Sequence, residues 1–227
     1  ERRFMFASVF SAAISGMEVH LIKVEADVSD GLPSFTMVGL PSTQVKEAQD
    51  RVRTALKNNG IALPPKRITV NLAPADIRKE GAGFDLPLAA AAGVLSAAQL
   101  GNVMMAGEIG LNGEIHAVSG ILPMIIRARE EKCRFCVVPY DNLREAHLIP
   151  DMKVIGVSNL QEMIRYVGAP DSYKKAVETK RKEKQENAVD FCEIHGQESL
   201  KRAVEIAVSG FHNLLMIGPP GAGKTMI

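Results

Sequence analysis

Gly218-Pro219-Pro220-Gly221-Ala222-Gly223-Lys224-Thr225 fits the phosphate-binding pattern G-x-x-x-x-G-K-[ST] at every fixed position. The apolar run Asn213-Leu214-Leu215-Met216-Ile217 leads straight into it and predicts a strand, so the loop is expected between a strand and a helix opening at Gly223. The residue types follow from the ligand. Glycines let consecutive backbone N–H groups turn inward around a β-phosphate, Lys224 brings a point charge to the β- and γ-phosphates, and the Thr225 hydroxyl suits Mg²⁺. ATP and Mg²⁺ are the implied cofactors. An acidic strand to orient Mg²⁺ and water, and any arginine finger, do not occur between this loop and Ile227, so no catalytic residue is assigned to this chain.

Working back from the loop, Gln197 to Val208 places Leu200, Val204, Ile206 and Ala207 at helical spacing. Before that lies a break in composition. Residues 172–187 hold six basic and three acidic residues, one Val and no other aliphatic larger than Ala, so they cannot bury a core face and read as a linker of net charge six minus three, or +3. Three regions result: a domain over 1–168, a charged linker over 169–189, and the start of a second domain over 190–227.

In the first domain Ile22, Val24, Ala26 and Val28 alternate with Lys23, Glu25 and Asp27, which predicts a strand with one wet side, followed by Phe35 to Val38. Ser42 reads as the N-cap of a helix with Val45, Ala48, Val52, Ala55 and Leu56 on its apolar stripe, closed by Asn59-Gly60. Ile68, Val70 and Leu72 predict a strand. A loop, Arg78 to Gly83, reads as exposed, with Asp85 as N-cap of a buried helix running to about Ala98. Val103 to Val118 reads as a hairpin turning at Asn112-Gly113. Helices over 119–132, 142–147 and 160–167 then alternate with strands over 135–138 and 154–157. That pattern predicts a layered α/β (α+β) fold.

Composition narrows the partners. With 27 Lys and Arg against 26 Asp and Glu there is no overall field to draw in nucleic acid or an anionic membrane. No apolar stretch reaches spanning length and the N-terminus lacks a leader pattern, so a cytoplasmic protein without membrane contact is expected. Three cysteines fit a reducing compartment, and Cys133 and Cys136 read as core residues rather than zinc ligands. The five histidines show no i, i+4 pairing, and metal ligation is not expected of them.

Several longer motifs carry a resemblance: Ser29-Asp30-Gly31-Leu32-Pro33-Ser34-Phe35, Val38-Gly39-Leu40-Pro41, Asn71-Leu72-Ala73-Pro74-Ala75-Asp76, Gly83-Phe84-Asp85-Leu86-Pro87 and Gly210-Phe211-His212-Asn213-Leu214-Leu215. In this order, with the phosphate loop, they resemble the YifB/ComM family of magnesium-chelatase-like AAA+ ATPases. The resemblance implies an N-terminal domain with the Lon-protease-like (ribosomal protein S5 domain 2-like) fold, then a truncated P-loop AAA+ segment ending at its Walker A loop. It further implies a ring hexamer and a role in DNA branch migration and transformation, with DNA as partner. Ile194 and Gly196, flanking His195, are the positions it places beside the adenine.

The Lon-like part has its own test. The Lon-type serine follows Lys-Asp-Gly-Pro, and here Lys79-Glu80-Gly81-Ala82 precedes Gly83; the lysine of Gly-Gly-Leu-Lys falls on Leu122. The Ser-Lys dyad is therefore expected to be missing, with Ser96 and Ser119 the nearby hydroxyls. Two other functions stay open: a chelatase-type motor subunit and a peptidase of altered dyad.

Overall fold

Alternate burial along Ile22, Val24, Ala26 and Val28, each at most 2% exposed, fixes one face of strand β2 (Glu18–Ser29) on the core. This computed structural model describes residues 5–173 and 194–219. They divide into two compact units, one within 1–179 and one within 180–227.

The first unit is built on β2. It pairs antiparallel with β1 (Met5–Ser15) on one side and β4 (Arg67–Ala73) on the other. Outside β4 lies β3 (Ser34–Val38), parallel to it, the two joined by α1 (Thr43–Asn58). Beyond β1 run β5 (Val103–Met105), β8 (Phe135–Pro139) and β9 (Val154–Val157), each parallel to the previous one, giving the order β3-β4-β2-β1-β5-β8-β9. A short ribbon of β6 (Glu108–Ile109) and β7 (Ile115–His116) stands apart. Four of the six pairings in the main sheet are parallel, as expected for an α/β fold with crossover helices.

Side chains of opposite strand parity feed two apolar clusters, so the sheet is covered on two faces. One gathers Val9, Val24, Val70, Met105 and Val137 with α1, α2 (Asp85–Ala89) and α6 (Leu160–Gly168). The other gathers Ala12, Met104, Cys136 and Val154 with α4 (Ile121–Glu130) and α5 (Leu143–Ala146). On the second half of β2 the second face stays wet, where Lys23 bonds Glu25 at 2.8 Å and Asn71 donates to Glu25 at 3.0 Å.

α1 follows from its residues. The Ser42 hydroxyl accepts from Val45 N at 3.3 Å, and Val45, Ala48, Val52, Ala55 and Leu56 are each fully buried. At Gly39 the backbone has φ +96, and a Cβ there would lie 2.2 Å from the Leu72 carbonyl oxygen, so only glycine lets the Val38-Gly39-Leu40-Pro41 turn close against β4.

Four expectations need correction. β1, the central strand, has no counterpart in the sequence reading: its later residues Ser11, Ala12 and Ala13 are buried on both faces, and small side chains erase the alternation. The helix expected over 85–98 stops at Gly93, whose φ of +104 turns the chain out, and a separate α3 (Ala97–Leu100) starts under a capping box of Ser96 and Gln99. Val103–Met105 is not a hairpin arm but a parallel strand of the main sheet; the hairpin at Asn112-Gly113 spans only β6 and β7. Asp85 is not an N-cap, for reasons taken up below.

Cys133 and Cys136 are both buried in the cluster under α4. Burial, with Glu131 nearby, pushes the Cys133 thiol up to about 11 from 9.0, and burial pushes Cys136 up as well. Because the unfolded thiols ionise first, the folded state holds more protons above pH 9, and stability falls from about pH 9 to about pH 11. The Cys133 contribution is on the order of 2 to 3 kcal/mol. Urea midpoints followed across this window are expected to fall less steeply in Cys133→Ala; an identical slope would contradict the assignment.

Candidate functional sites

The second unit contains the approach to the residues expected to form a phosphate loop. Gly196 (φ +74) and Gln197 (φ +60) turn the chain into α7 (Glu198–Ser209), and Leu200 N and Lys201 N both bond the Gln197 carbonyl. α7 closes at Gly210, after which His212 N reaches back to Ala207 O at 2.8 Å. Ile194 is half-buried and Gly196 exposed. Gly218 and Pro219 end the described segment, while Pro220, Gly221, Ala222, Gly223, Lys224 and Thr225 lie outside the described residues, as does most of the charged linker.

Two expectations fail in this unit. Residues 213–217 form no ladder with any described strand; the four consecutive apolar residues Leu214 to Ile217 suit a strand buried between sheet neighbours on both sides. Ile206, expected on the apolar stripe, is 52% exposed; among the described residues of α7 only Ala207 is buried. A cavity of about 460 Å³ between α7 and the following segment is lined by Val204, Ala207, Phe211, Leu214 and Met216. It is an apolar surface.

In the first unit, the segment aligned with protease catalytic positions forms a cleft of about 290 Å³ lined by Glu80, Gly83, Phe84, Glu108, Ser119 and Met124, among others. Gly83 supplies no side chain, and its carbonyl accepts from Gly107 N at 3.0 Å. Ser119 is exposed at the rim, and no lysine or histidine lines the cleft. Leu122 sits half-buried in the first turn of α4. Ser96 lies elsewhere, its hydroxyl donating to Gln99 Oε1 at 2.8 Å in the α3 cap.

Lys79 was expected in an exposed loop and is instead fully buried. Its ammonium donates to Gly39 O at 2.7 Å and to Pro74 O, while its own backbone pairs with Leu40 and Ser42. Burial lowers its pKa, and Asp76 opposes that shift. The lysine ties three turns together and does not face the cleft. Sequence reading missed it because a Lys-Glu-Gly run is ordinarily solvated.

Asp85 is likewise fully buried. Its Oδ2 accepts from Arg51 Nε at 2.8 Å and from Ile109 N at 3.1 Å, and its Oδ1 from Arg51 NH2 at 2.9 Å. This fork ties α1, α2 and β6 behind the cleft. The hydrogen bond to Asp85 raises the Arg51 pKa against the effect of burial, with Glu108 and Glu47 adding to it. A cue existed in the sequence: Arg51 sits next to Val52, at the border of the apolar stripe.

Comparison with known proteins decides the family. The family model for subunit ChlI of Mg-chelatase matches residues 24–142, just over half of the chain, and a second, for magnesium chelatase subunit ChlI, matches residues 190–227. The competence protein ComM of Haemophilus influenzae is 41% identical over 97% of this chain and 45% of its own length. The chain belongs to the YifB/ComM family. The uncharacterized protein YifB of Escherichia coli is 40% identical over 96% of this chain and 44% of its own length. Lon protease 2 of Bacillus subtilis is 30% identical over 128 residues, 54% of this chain and 22% of that protein. The chain spans less than half the length of the YifB/ComM relatives. No helix among the described residues is long and apolar enough to cross a membrane.

Proposed function

We propose that this chain is the N-terminal part of an AAA+ motor ATPase that remodels DNA in the intact protein, working as a ring hexamer in the cytoplasm. The observation that carries this reading is 41% identity to a competence protein over 97% of a chain that also spells the G-x-x-x-x-G-K-[ST] pattern from Gly218 to Thr225. In this reading residues 1–168 are a Lon-like, S5 domain 2-like platform, 169–189 a linker, and 190–227 the start of the ATPase domain.

The residues of the loop fit ATP and Mg²⁺ by their donor chemistry. With ATP and Mg²⁺ bound, the backbone N–H groups from Gly221 to Lys224 would hold the phosphates, the Lys224 ammonium would supply positive charge to them, and the Thr225 hydroxyl would serve the metal. Ile194 and Gly196 are the residues that would lie beside the adenine. Mg²⁺, held at the loop, would supply neutralisation of the charge that develops on the phosphates.

The platform acts without cleaving peptide bonds. A hydroxyl becomes a useful nucleophile only beside a base, and the cleft offers Ser119 with two carboxylates, Glu80 and Glu108, in a site lined by no lysine or histidine. Glu80 is held by Arg78 at 2.8 Å. A chelatase motor is the second reading, favoured by the names of the matching family models; the Lon-like domain ahead of the ATPase segment weighs against it.

Phosphate release by the intact protein, measured with and without forked, duplex and single-stranded DNA, tests the proposal. Hydrolysis stimulated several-fold by DNA, with strand displacement on the fork, is the expected result. Hydrolysis indifferent to every DNA would remove the DNA part and leave a motor with another substrate.

A further inference from the structure

We infer that the cavity at the C-terminal end of α1 seats the phosphate backbone of a single nucleic-acid strand. The inference rests on the DNA-remodelling function proposed above and gives it a surface. The cavity holds about 290 Å³ between Arg53, Lys57 and the turn Gly60 to Leu63. At the small end of ligand-sized cavities, it suits one phosphate and its sugar rather than the width of a duplex.

Charge is the first support. Arg53 and Lys57 stand four residues apart on the exposed face of α1, so both cationic groups flank one groove. Some exposed cations of this unit are paired: Lys23 with Glu25, Lys66 with Asp30, Arg78 with Glu80, Arg127 with Glu130 and Glu131, Lys153 with Asp171. Others, Lys46, Arg67, Arg129 and Arg144 among them, make no ion pair among the described residues, and what sets Arg53 and Lys57 apart is that both line one groove. Arg53 and Lys57 pair with no carboxylate among the described residues. Asp50, the acid nearest along the same face, makes no ion pair with either. The attraction of a helix C-terminus for cations accounts for Lys57 in the last turn, but that field has faded at Arg53, a turn earlier.

The shape of the turn is the second support. Carbonyls at the end of α1 would repel an anion if bare. They are engaged instead: Ala55 O, Leu56 O and Lys57 O accept from Asn59, Gly60 and Ile61 N–H groups at 2.9 to 3.1 Å. The floor is apolar, made by Ile61 and Leu63, half-buried side chains that rest on the main core. A cationic rim over an apolar floor matches a strand whose phosphates meet charge while sugar and base lie on hydrocarbon.

The test uses the intact protein and a fluorescent single-stranded oligonucleotide, with anisotropy read over a range of salt. Arg53→Glu with Lys57→Glu removes two phosphate contacts, so affinity at low salt is expected to fall at least about tenfold. The slope of log affinity against log salt should drop by about 1.4, at about 0.7 per contact on a single strand. Arg53→Gln with Lys57→Gln, which leaves no repulsive charge on the helix, should give an intermediate loss with unchanged thermal unfolding. Arg129→Glu with Arg144→Glu, exposed positions on α4 and α5, is the control and should change the slope far less. Wild-type binding with an unchanged slope in the Arg53/Lys57 variants overturns this inference alone, as does an equal drop in the control pair. Absence of strand binding by the wild type at low salt overturns both it and the DNA reading.

Discussion

Asp85→Ala is expected to destabilise the first unit by about 3 to 5 kcal/mol, the range seen when one member of a buried ion pair is removed. The carboxylate is fully buried and answers three donors, Arg51 Nε, Arg51 NH2 and the Ile109 N–H. Alanine takes from the guanidinium its two short carboxylate bonds, leaving it Glu47 at 3.9 Å and Gln44 O at 3.4 Å, and strands the Ile109 amide, which connects α2 to β6. The order of variants separates charge from hydrogen bonding. Asp85→Asn keeps an acceptor for Ile109 and should lose less than alanine, while Arg51→Met combined with Asp85→Leu removes the orphaned charge and should also be milder than Asp85→Ala alone. Denaturant unfolding of the three variants gives the ranking. A loss under about 1 kcal/mol for Asp85→Ala would mean that water or rearrangement replaces the carboxylate, and the fork would then not organise the region behind the cleft.

The same residue shows where the sequence stops being legible. Where one periodicity governs burial, the reading was sufficient: α1 buries the five residues of its stripe, and β2 buries its four alternating residues. Strands covered on both faces lose that signal, which is why neither β1 nor the parallel strand Val103 to Met105 is legible in the sequence. Buried charge is the other blind spot. Lys79 sits in a stretch whose composition suggests water and Asp85 at a helix start where a capping role is ordinary, and their burial depends on partners far along the chain: Gly39 O for the lysine, Arg51 for the aspartate. No local window contains those pairings. The glycine at position 39 illustrates the opposite case, since its need for a positive φ is local while the carbonyl that forbids a side chain belongs to β4.

The candidate sites divide in the same way. The phosphate loop is written in eight consecutive residues because phosphate recognition is mostly backbone and one lysine, and such a site needs little from the rest of the fold. The cleft of the first unit is assembled from segments around residues 80–84, 108 and 117–119, so only a fold brings Gly83 and Ser119 to one place. The basic cavity on α1 needs both a helix and the turn that ends it. A list of cations by sequence gives no reason to single out Arg53 and Lys57; it takes the turn from Gly60 to Leu63 to place both at one groove.

Lys224→Ala in the intact protein should lower ATP turnover at least about a hundredfold, in line with losing a preorganised cation from a site of developing negative charge. The expected defect is confined to the second unit. The first unit has its own core, with the described apolar residues from β1 through α6 gathered into two clusters, so its unfolding should be unchanged in the variant. Thr225→Ala separates metal from phosphate: if the hydroxyl holds Mg²⁺, that variant should need more magnesium for half-maximal turnover, whereas Lys224→Ala should not be rescued by the metal at any concentration. Retained nucleotide affinity with lost turnover would place the lysine's contribution in the transition state, and loss of both would place it in the ground state as well. Either pattern keeps the loop as the ATP site; normal turnover in Lys224→Ala removes it, and with it the motor that the first unit is proposed to serve.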